Sequence, residues 1–272
     1  MNFDISDLSI SKQKAGDYEK DGIVYCGKCH TPKQHELKGY VNRVIWCNCE
    51  CEDRAYEKRM EEIAENERKL YIENLRSNGI QDRKMLRFSF ENDMGSETKE
   101  SLLCRRYVSR WKENYAGNIG LIFWGDVGTG KTFYAGCIAN ALIELGIPVL
   151  ATDFISILNE LQGMREGRGS YLNELNQYKL LIIDDFGAER QSDYAVEQIF
   201  NVVNQRYKSN QPLILTTNMT MEQLRNPADV RYGRIYDRVC EMCLPVKFHG
   251  ESMRKERVKE KQVLAKEINR DE

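Results

Sequence analysis

The stretch GDVGTGKT, residues 125–132, decides how the surrounding chain folds. It fits the pattern G-x-x-x-x-G-K-[ST], with the apolar run LIFW before it and a segment compatible with a helix after it. Glycines permit positive φ and let backbone N–H groups approach a phosphate without interference from a Cβ atom. The stretch therefore predicts a strand, a phosphate-binding loop and a helix that begins at Lys131, with its positive dipole end facing the same anion.

The side chains of this loop suit the binding of ATP and Mg²⁺. Lys131 is expected to bridge the β- and γ-phosphates, and Thr132 is expected to ligate Mg²⁺. A chance glycine-rich turn is the alternative, but the flanking strand and helix patterns argue against it. The predicted nucleotide-binding residues are Gly125, Asp126, Val127, Gly128, Thr129, Gly130, Lys131 and Thr132.

Two further apolar runs end in polar residues that suit the same chemistry. KLLIIDDF, residues 179–186, places Asp184 and Asp185 at the carboxyl end of a buried strand, where ligands bind in α/β sheets. Asp184 is expected to hold Mg²⁺ directly or through water, and Asp185 to polarise the attacking water as a general base. PLILTTN, residues 212–218, ends at Asn218, whose amide is a candidate to orient that water, with a capping asparagine as the alternative.

Short continuous apolar runs alternate with helical segments from about residue 120 onward. GLIFWG, PVLATD, KLLIIDDF and PLILTTN read as strands, and helices are expected to about Leu145, to about Gln162 and near residues 193–208. Such an alternation predicts an α/β fold in which a parallel sheet is flanked by helices.

With these elements in order, the chain resembles AAA+ ATPases, and more narrowly the DnaC/DnaI-type helicase loaders and the IstB transposition helper ATPases. The resemblance is carried by GDVGTGKT, LLIIDDFGAE, LILTTN, GRIYDRV and GESMR, and it covers roughly residues 88–257. It implies an ASCE P-loop sheet and an assembly-dependent ATPase. Many AAA+ enzymes have Asp-Glu where this chain has Asp184 and Asp185, as is usual in the loader branch, and the shorter carboxylate predicts slow hydrolysis.

The resemblance also implies roles for individual residues. Asn218 matches sensor 1, and Arg254 in GESMR matches sensor 2. Arg238 in RIYDR matches the arginine finger that reaches the nucleotide of a neighbouring subunit, with Arg234 as the competing choice. A guanidinium supplied by a second subunit stabilises transition-state charge and makes hydrolysis depend on self-assembly.

Five of the nine cysteines lie between residues 26 and 51, in YCGKCH and IWCNCECEDR. Two pairs of thiolates at this separation can close a tetrahedral Zn²⁺ site. Cys26, Cys29, Cys47 and Cys49 form the predicted ligand set, with Cys51 or His30 as substitutes. The segment has too few apolar side chains to fold unaided, which favours zinc over a metal-free segment. Basic and aromatic residues are interleaved here and are equally consistent with a DNA contact or a protein contact: Lys28, Lys33, Lys38 and Arg43 with Tyr25, Tyr40 and Trp46.

Composition sets the remaining expectations. The chain has 272 residues, 41% hydrophobic and 30% charged, with a formal net charge of -2, so nucleic-acid binding requires a local basic patch. Arg165 and Arg168, in the glycine-rich stretch MREGRGS, are candidates for a contact with single-stranded DNA, with a solvated loop as the alternative. The sequence shows no secretory signal and no apolar run of about 20 residues, so a cytoplasmic protein without a membrane partner is expected.

The predicted organisation is a zinc-binding module (1–51), a charged helical linker (52–87), the AAA+ domain (88–257) and a charged tail (258–272). The leading hypothesis is a helicase loader that binds ATP, a hexameric replicative helicase and single-stranded DNA, and releases the helicase on hydrolysis. An IstB-like transposition helper acting on duplex DNA and a nucleotide-gated zinc adaptor without meaningful hydrolysis are the alternatives.

Overall fold

A computed structural model describes residues 13–38, 43–93, 98–189 and 192–250 of the chain. The chain divides into two compact units, Met1–Leu70 and Tyr71–Glu272. The division falls inside a long helix, α1 (Glu50–Gly79). Each unit is described by itself below.

The N-terminal unit contains two small antiparallel hairpins. Strand β1 (Tyr18–Lys20) pairs with β2 (Ile23–Tyr25), and β3 (Gln34–Leu37) pairs with β4 (Arg43–Trp46). The buried apolar residues described in this unit are Val24, Cys26 and Cys49. So small a core cannot hold a fold of this size together, and another source of stability is required.

Helix α1 spans most of the charged segment expected to be a helical linker (52–87), and it begins two residues before that segment. Glu50, Glu52 and Asp53 lie in its first turn and Arg76 in its last, an arrangement that complements the helix dipole. Ion pairs at i,i+4 spacing form on its exposed surface. In one of them, Lys69 Nζ lies 2.6 Å from Glu65 Oε1. Most of the helix is solvated, as the charged sequence predicts.

The C-terminal unit is built on a parallel five-stranded sheet in the order β6-β7-β8-β5-β9. Its strands are β5 (Gly120–Gly125), β6 (Val149–Asp153), β7 (Leu180–Asp184), β8 (Leu213–Thr217) and β9 (Cys243–Phe248). Its further helices are α2 (Lys99–Ser109), α3 (Trp111–Ala116), α4 (Lys131–Glu144), α5 (Phe154–Gly163), α6 (Arg168–Leu175), α7 (Asp193–Lys208), α8 (Met221–Arg225) and α9 (Gly233–Met242).

Helices cover both faces of this sheet, so strands β5, β6, β7 and β8 are apolar on both sides. In β7, Leu181 and Ile183 join a core that contains side chains of α5, α7 and α9. Leu180 and Ile182 point the other way, into a core that contains side chains of α2, α3 and α4. This two-sided burial explains why the strands read as continuous apolar runs.

The four strands and three helices expected after residue 120 are confirmed. Strand β9 was not predicted, because exposed residues interrupt its apolar run and one of them is Pro245. It lies at the edge of the sheet beside β5, where a proline is tolerated. The stretch MREGRGS is a loop only in part, since Arg168 is the first residue of α6. No helix in the described part of the chain is long and apolar enough to cross a membrane.

Candidate nucleotide and metal sites

The glycine-rich loop runs from the end of β5 into α4. Gly125 has φ 133°, and a Cβ atom there would lie 2.3 Å from the carbonyl oxygen of Phe248 in β9. Gly130 has φ 98° and directly precedes the first residue of α4. Both positions require glycine, and the loop brings the N-terminus of a 14-residue helix to the carboxyl edge of the sheet.

Lys131 is only 5% exposed, and its ammonium lies within the loop. Its Nζ donates to the carbonyl oxygens of Gly125 at 2.8 Å and Asp126 at 2.7 Å. The loop therefore holds a positive charge beside the N-terminus of α4. This arrangement fits an ATP phosphate group, which is anionic and can accept hydrogen bonds from the Lys131 ammonium and from the N–H groups at the start of α4.

The sheet order brings the three polar strand ends together. Strand β8 lies between β5 and β7, and all three are parallel. The phosphate loop, Asn218 and the pair Asp184 and Asp185 consequently lie at the same edge. The predicted convergence of these segments is therefore present in the structure.

Asp184 is bound to two hydroxyl groups. Its Oδ1 accepts from Thr132 Oγ1 at 2.9 Å and from Thr216 Oγ1 at 2.5 Å. Two adjacent ligands of an octahedral Mg²⁺, each about 2.1 Å from the ion, lie about 3.0 Å apart. The Thr132–Asp184 separation therefore fits a shared Mg²⁺. Burial raises the pKa of Asp184, while the hydrogen bonds from Thr216 and Thr132 oppose that rise.

Asp185 is exposed and adopts the left-handed region, with φ 52°. Its backbone N–H donates to Thr216 Oγ1 at 2.9 Å. A cleft of about 460 Å³ opens beside Asp184 and Asp185 and is also lined by Asp153 and Glu189. Several water molecules fit in that volume, at about 30 Å³ each, so a water can reach the Asp185 carboxylate.

The arginines predicted to act across subunits occupy different environments. The Arg238 guanidinium lies 4.7 Å above the ring of Phe200 and 5.5 Å from that of Tyr207. Arg234 lies one turn earlier on α9 and is exposed. Arg234 can therefore contact a neighbouring molecule without a change in conformation. The Arg238 side chain would first have to move away from the rings of Phe200 and Tyr207. Arg254 lies outside the described residues.

Four cysteines of the N-terminal unit form a cluster. The Sγ atoms of Cys26, Cys29, Cys49 and Cys51 all lie within 4.8 Å of one another. Sulfurs at the corners of a zinc tetrahedron, each about 2.3 Å from the metal, are about 3.8 Å apart. The separations of 3.5 Å for Cys26–Cys51 and 3.2 Å for Cys49–Cys51 lie near that value, so the donor set fits Zn²⁺.

The described cluster differs from the expected ligand set at one position, because it contains Cys51, one of the two substitutes named above, and lacks Cys47. Helix α1 begins at Glu50, and its first turn brings Cys51 beside Cys49. Cys47 instead approaches the carbonyl oxygen of Pro32, at 3.6 Å. The substitute His30 packs against Tyr18, with ring centroids 5.8 Å apart, and does not belong to the described cluster.

Local hydrogen bonds lower the pKa values of two cysteines in this cluster, Cys26 and Cys29. The Thr31 hydroxyl, together with its backbone, lowers the pKa of Cys29 to about 5. Backbone N–H groups of Cys29 and Lys28 lower the pKa of Cys26. Thiolates are the form that binds zinc, so the turn between these residues favours metal binding.

The basic residues proposed for DNA contact are not equally accessible. Lys33 is fully buried, and its Nζ lies 2.9 Å from Asp17 Oδ2 and 3.4 Å from Glu52 Oε1. It therefore neutralises carboxylates inside the unit and does not reach a nucleic acid. Arg165 and Arg168 are exposed, although Arg168 Nε also donates to the carbonyl oxygen of Leu161 at 3.1 Å.

Sequence reasoning missed Thr216 and Glu189. Thr216 bonds to both aspartates, and Glu189 Oε2 accepts from the N–H of Gly187 at 2.8 Å, which closes the loop after β7. The signal for Thr216 was present, because a polar residue inside the apolar run LILTTN has to find a buried partner. No comparable pattern marked Glu189.

Comparison with known proteins shows the family to which the chain belongs. The family described as IstB-like ATP binding protein matches residues 56–261. Replicative helicase loader DnaC of Escherichia coli (strain K12) is 34% identical over 125 residues, which is 44% of this chain and 49% of that protein. This match therefore spans about half the length of that relative. Phage-like element PBSX protein XkdC of Bacillus subtilis (strain 168) is 28% identical over 208 residues, or 73% of this chain and 72% of that protein.

Solved structures show the same architecture. A structure of the DnaC helicase loader matches with a TM-score of 0.52 and 25% identity, covering 62% of this chain and 100% of that one. A DnaI structure matches with a TM-score of 0.54 and 23% identity over 65% of this chain and 98% of that one, a likeness of fold alone. The C-terminal unit has the AAA+ fold. Because the family match covers most of the chain, the protein belongs to the IstB-like ATP-binding protein family.

Proposed function

We propose that this protein is an ATP-hydrolysing helicase loader, which binds a hexameric replicative helicase and single-stranded DNA and releases the helicase when ATP is hydrolysed. The observation that carries the proposal is the convergence of Lys131, Thr132 and Asp184 at one sheet edge, in a chain that also holds a four-cysteine cluster. The relatives named helicase loaders in Escherichia coli and Bacillus subtilis support the choice of partner.

The site residues have complementary roles in this proposal. Lys131 and the backbone N–H groups of the loop bind the phosphates, while Thr132 and Asp184 hold Mg²⁺, which neutralises charge on the phosphates when bound. Asp185 accepts a proton from the attacking water, and Asn218 orients that water. The protein self-assembles through α9, so that an arginine of one copy, Arg238 or the exposed Arg234, reaches the nucleotide of the next.

The N-terminal unit is proposed to bind Zn²⁺ through Cys26, Cys29, Cys49 and Cys51 and to contact the helicase. Lys33 is not available for a DNA contact in this unit, because it is buried in ion pairs. Exposed Arg165 and Arg168 are proposed to contact single-stranded DNA in the C-terminal unit. An IstB-like transposition helper that acts on duplex DNA is the second candidate, and the family match supports it.

Capture of a replicative helicase tests this function. Purified full-length protein is expected to retain the helicase in a pull-down with ATP, and a variant lacking residues 1–51 is expected to lose it, because the truncation removes the cysteine cluster. The same pull-down without nucleotide measures the dependence on ATP. Failure of the full chain to capture helicase under any nucleotide condition would contradict the loader proposal, and filament formation on duplex DNA would then favour the transposition helper.

The Asp185→Asn variant separates a hydrolysing loader from a nucleotide-gated adaptor. Removal of a positioned base is expected to lower ATP turnover by about 10²-fold or more, since general-base catalysis contributes about 10²–10⁴. Helicase release after addition of ATP is expected to slow in parallel, as followed in the pull-down. Unchanged ATP turnover together with unchanged helicase release would support a nucleotide-gated adaptor that does not depend on hydrolysis.

A further inference from the structure

Strand β8 ends in two threonines whose hydroxyl groups are both used inside the protein. Thr216 and Thr217 are each 0% exposed. The single hydroxyl of Thr216 accepts from the Asp185 N–H at 2.9 Å and donates to Asp184 Oδ1 at 2.5 Å. One oxygen atom therefore contacts both carboxylate residues at the end of β7.

Two other bonds attach the same segment to β8. The N–H of Phe186 donates to the Thr216 carbonyl oxygen at 2.7 Å, and Thr217 Oγ1 donates to the Phe186 carbonyl oxygen at 2.6 Å. Residues 184–186 are consequently fixed to the strand that lies between them and the phosphate loop. Asn218, the residue proposed to orient water, follows Thr217 directly.

Asp185 needs such an attachment because of its backbone conformation. A non-glycine residue at φ 52° is unfavourable and persists only where its surroundings fix it. The Thr216 hydroxyl satisfies the N–H of Asp185, and it turns the Asp184 carboxylate so that Oδ1 also meets Thr132. The carboxylate is thus oriented by two hydroxyls, one from α4 and one from β8.

We propose that Thr216 is a positioning residue for ATP hydrolysis, an inference that rests on the function proposed above. It sets the orientation of the Asp184 carboxylate and the backbone of Asp185 with one hydroxyl group. Thr216 touches no substrate in this role and acts through the two aspartates. A displacement of about 1 Å in such groups costs about 10²-fold in rate.

Substitution of Thr216 in the full-length protein tests the inference. Thr216→Val keeps the shape of the side chain and removes both hydrogen bonds, while Thr216→Ser keeps the hydroxyl. Thr152→Val is a matched control, because Thr152 is 5% exposed, lies near the carboxyl end of neighbouring β6 and donates to Gln81 Oε1. The readouts are kcat, KM for ATP, the dissociation constant of a non-hydrolysable ATP analogue, and the melting temperature.

Thr216→Val is expected to lower kcat by about 10–100-fold, with analogue affinity within about threefold of the wild type because the phosphate loop is intact. Thr216→Ser is expected to recover most of the turnover, and Thr152→Val to turn over ATP as the wild type does. Wild-type kcat in Thr216→Val, equal losses in the valine and serine variants, or the same loss in Thr152→Val would each overturn the inference.

A second measurement does not depend on turnover. Hydrogen exchange of the peptide that contains residues 184–189 reports on the Asp185 N–H, which loses its acceptor in Thr216→Val but keeps it in Thr216→Ser. Faster exchange confined to the valine variant is expected. Unchanged exchange in that variant would overturn the inference even with an active enzyme. If the wild type shows no ATP turnover, the proposed function fails, and the exchange result still decides whether Thr216 fixes the loop.

Discussion

The Lys131→Ala variant is expected to hydrolyse ATP at least about 10²-fold more slowly than the wild type. This is the usual effect of removing one group that stabilises transition-state charge. The Lys131 ammonium is the buried positive charge of the phosphate loop, and it lies beside the N-terminus of α4. An alanine leaves the backbone N–H groups but removes the charge that meets the β- and γ-phosphates. Steady-state phosphate release, with ATP varied at saturating Mg²⁺, measures the loss.

Lys247→Ala is the matched control for this variant. Lys247 also lies near the start of the loop, with its Nζ 4.9 Å from the centroid of the Trp124 ring, but it belongs to β9. Its removal is expected to leave turnover within about twofold of the wild type, because surface substitutions away from a site have small effects. Retention of full activity by Lys131→Ala would remove the basis for a phosphate site at this loop.

The Cys51→Ser variant is expected to lose bound zinc and the fold of the N-terminal unit together. The wild type is expected to hold about one Zn²⁺ per chain, because four thiolates complete a closed structural site. The described core of this unit is too small to fold without the metal. Metal content of the purified protein by atomic emission, and circular dichroism before and after chelation, measure the two effects.

Cys47→Ser supplies the control for this experiment. Cys47 lies on the same stretch but contacts the Pro32 carbonyl oxygen and does not join the cluster, so this variant is expected to keep its zinc. The opposite pattern, with zinc lost in Cys47→Ser and kept in Cys51→Ser, would restore the ligand set expected from the sequence. Equal zinc contents in all three proteins would show that neither cysteine is a ligand.

The parts of the site that follow from local sequence were predictable. A glycine-rich turn between a strand and a helix fixes its own backbone, so GDVGTGKT was sufficient to locate Lys131 and Thr132. Asp184 and Asp185 were equally predictable, because a strand that is buried on both faces has to end where its polar residues begin. The order of the strands did not follow from these runs, since a short apolar run does not indicate which strands lie beside it.

Features that depend on contacts between distant segments were not predictable. The choice between Cys47 and Cys51 depends on where α1 begins, and helix ends are the least certain part of a pattern. Arg238 could be recognised in RIYDR, but nothing in that motif indicates that it packs on Phe200 and Tyr207 of α7. The bond from Thr216 to Asp184 likewise joins residues 32 positions apart.

The left-handed backbone of Asp185 has a consequence for how this protein tolerates change. This region costs most non-glycine residues about 1–2 kcal/mol and aspartate less, because its short polar side chain can hydrogen-bond locally, and glycine avoids most of the cost. Selection for thermal stability alone would therefore favour loss of this carboxylate, the group to which we assign proton transfer. Under the role proposed for Asp185, a more stable protein at this position would be a less active one, so catalysis and stability would place opposing demands on a single residue.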